Sequence, residues 1–186
     1  MKLFAIYSKI HLTKTPEWFD AFYAKYTSSH GYHVTLKQSC FLEEKNIAEV
    51  KNKLSTFIKT IVIPNHKIEV TFDKITFDTI QAEQKSILIN AKHNPLLEKL
   101  QQGIVSALNQ HKKYVYPESR AWEEHFNPHI TIAADLNPAR YAQALKEVKE
   151  DYACTGTIQD IALIIVDKMV PSEADRPENQ TIYPLL

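Results

Sequence analysis

A chain of 186 residues whose 22 basic and 22 acidic side chains cancel lacks the basic face that gripping a long nucleic acid by its backbone requires. A local pocket for a nucleotide or for one end of an RNA stays open. At 44% hydrophobic and 24% charged, the composition is that of a single globular domain, and three glycines leave no glycine-rich phosphate loop.

The opening LFAIY reads as a strand, and Thr15-Pro16-Glu17 as a helix start with Thr15 as cap and Pro16 at the first helical position. That helix runs through WFDAFYAKY. The segment HLTK between strand and cap reads as a solvent-facing loop. YHVTLKQ then alternates apolar and polar residues as a strand does, IAEVKNKLSTFIKTI has apolar residues at helical spacing, and KIEVTFDKITF is a strand with a kink or bulge.

The pattern repeats. SILINA is a strand, NPLLEKLQQGIVSALNQ a helix with Asn94 as cap and Pro95 next, PHITIA a strand, NPARYAQALKEVKE a helix opened by Asn137-Pro138, and IQDIALIIVD a buried strand. QTIYPLL is a last short strand. The stretch 111–126 reads as a long loop, and SEADRPEN as a flap or connection. From His33 to Val70 is 37 residues, and from His129 to Ile164 is 35. The chain is therefore expected to be one bilobal α+β domain over 1–186. Two pseudo-symmetric lobes, mainly 1–80 and mainly 81–186, each contribute an antiparallel-rich sheet with flanking helices around a central cleft.

Two histidines are followed by threonine inside apolar strands: His33-Val34-Thr35-Leu36 and His129-Ile130-Thr131-Ile132. On a strand, residues two apart share a face. Val34, Leu36, Ile130 and Ile132 would anchor in a core, while His33 with Thr35 and His129 with Thr131 project from the opposite face. One such pair on a half-exposed strand is ordinary surface; two at equivalent places of two similar halves point to a site. His11-Leu12-Thr13 fails the test because Lys14 replaces the apolar anchor. By the same spacing Lys37 falls beside Thr35, as a phosphate contact or as a solvated lysine.

Histidine suits both proton removal and proton donation because its ordinary pKa is about 6.5. Threonine hydroxyls can hydrogen-bond the non-bridging oxygens of a phosphate. The spacing His125-x-x-x-His129 superficially suits a metal, but Pro128 breaks the helix it would need. His30-x-x-His33 lacks a second ligand pair, and His66, His93 and His111 stand singly in polar surroundings as solvated residues. No metal and no cofactor are expected. In the stretch 111–126 that leads into the second motif, Tyr114, Tyr116 or Trp122 are candidates to stack on a base and Arg120 to hold a phosphate, against the alternative that they only pack a loop.

GYHVTLKQ and FNPHITIA resemble the paired signatures of the two-histidine (2H) phosphoesterases, and within them those of the 2′-5′ RNA ligase, or RNA 2′,3′-cyclic phosphodiesterase, group. Phe126, Pro128, His129, Thr131 and Ala133 match F-x-P-H-x-T-x-A. Two departures stand out: Lys37 where that group often has arginine, and no basic residue at Ala134-Asp135. The resemblance implies two lobes around a cleft and a metal-independent phosphodiesterase. His33 and His129 would be its acid–base pair, with Thr35 and Thr131 binding phosphate. Its partners would be RNA ends or small oligonucleotides. Degradation of 2′-5′-linked or cyclic oligonucleotide signals, and a catalytically silent nucleotide-binding module, are the rival readings. Cys40 and Cys154 give no disulfide framework, and no run is apolar enough for a signal peptide or a membrane span, so a monomer in the reducing cytoplasm is expected.

Overall fold

The structure, a computed structural model, describes residues 1–27, 31–78 and 85–185. Its strands are β1 (Lys2–Lys9), β2 (His11–Lys14), β3 (His33–Leu42), β4 (Ile68–Asp78), β5 (Lys85–Ala91), β6 (His129–Leu136), β7 (Cys154–Ile158), β8 (Asp160–Val166) and β9 (Gln180–Pro184). Its helices are α1 (Phe19–Tyr26), α2 (Ile47–Thr60), α3 (Pro95–Ala107), α4 (Ser119–Glu124), α5 (Pro138–Glu147) and the single turn α6 (Pro171–Ala174).

Local chemistry explains two of the helix starts. The Asn94 side chain accepts from the amides of Leu96 and Leu97, the Asn137 side chain accepts from that of Arg140, and Pro95 and Pro138 occupy the first turns. The start expected at Thr15 is corrected. HLTK is not a loop but the short strand β2, paired with β7 through His11 opposite Thr157, although His11 itself is exposed. Residues 15–18 are therefore used in turning from strand to helix, and α1 begins at Phe19 with no side-chain cap. Trp18 holds this start by packing edge-on against Phe19 and Phe22, its indole N–H donating to Asp151.

All strand pairs are antiparallel, in two sheets of order β3-β1-β8-β9 and β2-β7-β4-β5-β6. Read inward from β3 the first sheet runs β3, β1, β8, β9. Read inward from β6 the second runs β6, β5, β4, β7, then β2. The repeat is thus visible in the topology, but the sheets do not divide at residue 80. Each half places its first two main strands in one sheet and sends the third across: β4 joins β5, and β8 joins β1.

The two histidine-bearing strands are the edges at which the sheets meet, and β3 and β6 lie against each other. Helix α3 packs on β3 and α1 on β6, so each half also covers the other's motif strand. Val34, Leu36, Ile130 and Ile132 are all buried in one continuous core, as the alternation requires. The apolar run of β8 is buried on both faces. Ile161 and Leu163 join the main core, while Ala162, Ile164 and Val166 form a second cluster with Tyr7 and Ala174. Among the described residues no helix is long and apolar enough to cross a membrane.

Candidate active site

The two motifs are held by the same device. Nδ1 of His33 lies 3.1 Å from the carbonyl oxygen of Gly31, and Nδ1 of His129 lies 2.9 Å from that of Asn127, in each case two residues upstream. A carbonyl only accepts, so both Nδ1 atoms carry a proton and the lone pair of each neutral ring is on Nε2. The carbonyl of the residue between is also tied down. Tyr32 accepts from the amide of Ile10 at 2.7 Å, and Pro128 from that of Ala91 at 2.8 Å. Gly31 reaches its position with φ +62°, a conformation that disfavours a side chain.

The neighbours across each strand differ. His33 and Thr35 lie opposite Lys9 and Tyr7, and the Tyr7 ring sits 5.0 Å from the His33 ring. His129 and Thr131 lie opposite Asn90 and Leu88. Burial drives the Tyr7 hydroxyl up to about 12, reinforced by the carboxylates of Asp175 and Asp160. Tyr7 is therefore a neutral wall for His33 at any ordinary pH.

A cavity of about 490 Å³ opens beside the second motif. His129, Thr131 and Thr35 contribute to its wall, so three of the four motif side chains border one space. His33 shares the face of Thr35 on β3 but is not among the lining residues. The floor is the second sheet, with Leu88 and Asn90 of β5 and Thr76 of β4. Trp122 comes in from α4, and His125 and Phe126 from the turn after it. Gln38 closes the β3 side.

Of the residues expected to select the substrate, only Trp122 reaches this space. Tyr116 is half-exposed, and Arg120 is exposed and paired with Glu124 at 2.9 Å; neither lines the cavity. Lys37 is corrected too. Between Thr35 and Lys37 the strand carries an extra residue relative to β1, where their partners Tyr7 and Ile6 are adjacent. This bulge breaks the two-residue alternation and turns Lys37 toward the core with Ile6. There it is wholly buried, its ammonium 3.0 Å from the Glu123 carboxylate and over the ring of Tyr114. Glu123 also accepts from the Tyr114 hydroxyl at 2.6 Å and from the amide of Gln38 at 3.1 Å. Burial, then the bond to Glu123, pushes the Tyr114 hydroxyl far up. Tyr114 is part of this buried network and is also absent from the cavity wall.

The expected long loop 111–126 hides α4, which carries both Trp122 and Glu123. His111 is not solvated but buried, edge-on to Phe4 and 3.6 Å from Glu49. Asn90, Thr76 and Gln38 gave no sequence signal, since a lone polar residue in a strand looks like any solvent-facing one. His30 lies outside the described residues. Among the described residues no three histidine, cysteine or acidic side chains gather to hold a metal ion.

Comparison with known proteins agrees with this geometry. The structure of Kluyveromyces marxianus Usb1 with uridine monophosphate aligns over 98% of both chains, with TM-score 0.59 at 9% identity. A further structure of Usb1 from the same yeast gives a TM-score of 0.57 at 9% identity over the same shares. E. coli LigT complexed with 3′-AMP aligns over all of this chain and 94% of its own, with TM-score 0.50 at 18% identity. At these identities the likeness establishes a common fold. No curated protein sequence matches the chain. The family model described as the 2′-5′ RNA ligase superfamily matches residues 11–169, a span containing both histidine motifs and every strand that positions them except β1 and β9. The chain belongs to the 2′-5′ RNA ligase superfamily, the two-histidine phosphoesterases.

Proposed function

We propose that the protein is a metal-independent phosphodiesterase that opens RNA 2′,3′-cyclic phosphate ends to 2′-phosphates. The observation that carries this reading is the matched pair of Nδ1–carbonyl bonds, which gives both histidines the same tautomer and directs their chemistry through Nε2. One histidine enters neutral and takes a proton from water at Nε2. The water oxygen attacks phosphorus, the bond from phosphorus to the ribose 3′ oxygen breaks, and the second histidine, entering protonated, gives that oxygen its Nε2 proton. Thr35 and Thr131 donate hydrogen bonds to the non-bridging oxygens as charge builds on them. Neither proton transfer calls for a metal ion. The same step with an RNA 5′ hydroxyl in place of water would form a 2′-5′ linkage.

The nucleotides carried by relatives of the same fold, uridine monophosphate on Usb1 and 3′-AMP on LigT, support a nucleotide substrate. A second reading, hydrolysis of small 2′-5′-linked or cyclic oligonucleotide signals, is favoured by one observation. The chain is electrically neutral, and a nucleotide-sized cavity needs no long basic track. The test is incubation without metal with cyclic-phosphate RNA ends, 2′-5′ and 3′-5′ oligonucleotides, and cyclic di- and trinucleotides, followed by product identification. Turnover of cyclic ends to 2′-phosphates, lost in the His33→Ala, His129→Ala double variant, is expected. Wild-type turnover by that variant would overturn the reading, and tight binding without turnover would make the protein a nucleotide-binding module.

A further inference from the structure

The cavity beside His129 contains a polar group that the proton chemistry leaves unused. Asn90 is 4% exposed, lies opposite His129 in the β5–β6 ladder, and lines the cavity floor. Its side chain leans away from the motif strand to β4, where the Thr76 hydroxyl meets the amide oxygen at 2.6 Å. That separation is typical of an O–H···O bond and short for an N–H···O bond, so the oxygen is the atom facing Thr76. The amide nitrogen, with two protons to donate, has no hydrogen-bond partner among the described residues. Asn90 lines the open cavity, so this donor is available to a bound molecule in place of water.

The rest of the wall limits what that something is. No lysine, arginine, aspartate or glutamate is among the described residues lining the cavity. The only side chains there that can carry charge are the imidazoles of His125 and His129, among the described residues. Leu88, Phe126 and Trp122 instead offer apolar and aromatic surface to a flat, uncharged group. The nitrogen is the branch of the amide not turned to Thr76, on the residue directly opposite His129, where it can meet the group attached to a phosphate held by His129 and Thr131. We propose that Asn90, oriented by Thr76, is a specificity-determining residue that donates a hydrogen bond to an acceptor on the nucleobase of the substrate. The space beside His129 is then the seat of the nucleoside attached to that phosphate. This rests on the phosphodiesterase reading and names the part of the substrate that the cavity takes.

The experiment compares uridine and adenosine 2′,3′-cyclic phosphates with methyl riboside 2,3-cyclic phosphate, which has the reacting group and no base. Asn90→Leu keeps the side-chain volume and removes the donor. It is expected to lower kcat/KM on both nucleotides roughly tenfold, the worth of one hydrogen bond, chiefly through KM, and to leave the riboside within about twofold. Equal loss on all three substrates, or loss on none, overturns the proposal. Should Asn90→Leu fail to fold, Thr76→Val, which lets the amide turn, carries the same prediction with a smaller loss. If the wild type turns over none of the substrates, the phosphodiesterase reading falls separately. Titration with uridine monophosphate then decides the Asn90 contact: weaker binding by Asn90→Leu supports it, and equal binding sinks it.

Discussion

Lys37 and Glu123, 86 residues apart, form an ion pair 3.0 Å long with 0% and 2% of their side chains exposed. It joins the bulge of the first motif strand to the helix that brings Trp122 to the cavity. Removing one partner of a buried pair leaves a charge without compensation, and such changes cost about 3–5 kcal/mol. Because Tyr114 and the Gln38 amide still solvate Glu123, Lys37→Met is expected at the lower end, about 3 kcal/mol in urea unfolding. Adding Glu123→Gln to that variant is expected to recover part of the loss. A single variant within 0.5 kcal/mol of wild type (roughly the scatter of surface substitutions) would show that the pair does not hold α4.

Gly31→Ala separates strain from steric clash. An added Cβ meets nothing within 4 Å, yet φ is +62°, so the expected cost is about 1 kcal/mol of backbone strain. Any adjustment of that backbone shifts the carbonyl that fixes His33, so kcat should fall more than KM rises. His33→Ala and His129→Ala should each lower kcat by roughly 10²–10⁴ while leaving the unfolding midpoint close to wild type, since both rings are only half-buried. Unequal losses in the two variants would show that the two proton transfers do not limit the rate alike.

Gly156 gives the opposite case. A Cβ there would come 2.6 Å from Ile10 Cγ2 and 3.0 Å from the His11 carbonyl oxygen, where β2 crosses close to β7. Ile10 is buried and cannot swing away. Gly156→Ala should destabilise by about 2 kcal/mol, as overpacking does, measured by the denaturant midpoint. A neutral or stabilising result would mean that the β2 edge is loose.

Alkaline pH should weaken the fold. Burial raises the Cys40 thiol to about 11, the Cys154 thiol to about 12 and the Tyr7 hydroxyl to about 12, from ordinary values of 9.0, 9.0 and 10.0. Above pH 9 the unfolded chain loses these protons while the folded chain keeps them, so stability falls with pH from about 9 toward 12 and is level with respect to these groups below 9. Denaturant midpoints measured from pH 7 to 10.5 test this. Native-state labelling of either thiol at pH 8 as fast as in the unfolded chain would contradict the burial.

The motifs were legible because their physics is local. Two-residue alternation with Val34, Leu36, Ile130 and Ile132 as anchors places His33, Thr35, His129 and Thr131 without knowledge of the partner strands. Lys37 shows where locality ends, for the bulge that turns it inward is set by the pairing with Ile6 and Tyr7 and not by the sequence around it. Helix α4 escaped notice because its buried face carries Ser119 and Glu123, which look solvent-facing until Lys37 arrives from β3. β2 is a four-residue edge strand with three of its four residues exposed, so it has almost no apolar signature. The sheet order, in which each half lends its third strand to the other, is a tertiary choice with no marker in the chain.

That exchange governs when the molecule becomes competent. The strand behind His33 pairs Leu3 with Val166, so the sheet that carries the first histidine waits for nearly the whole chain to be made. A nascent chain ending after β6 would hold both histidine motifs and still lack β8, an inner strand of the first sheet, and β7, an inner strand of the second. Such long-range closure is paid for in loop entropy before any pairing rewards it, which slows folding. A ribosome stalled short of β8 would carry both histidines with the first sheet reduced to the β1–β3 pair.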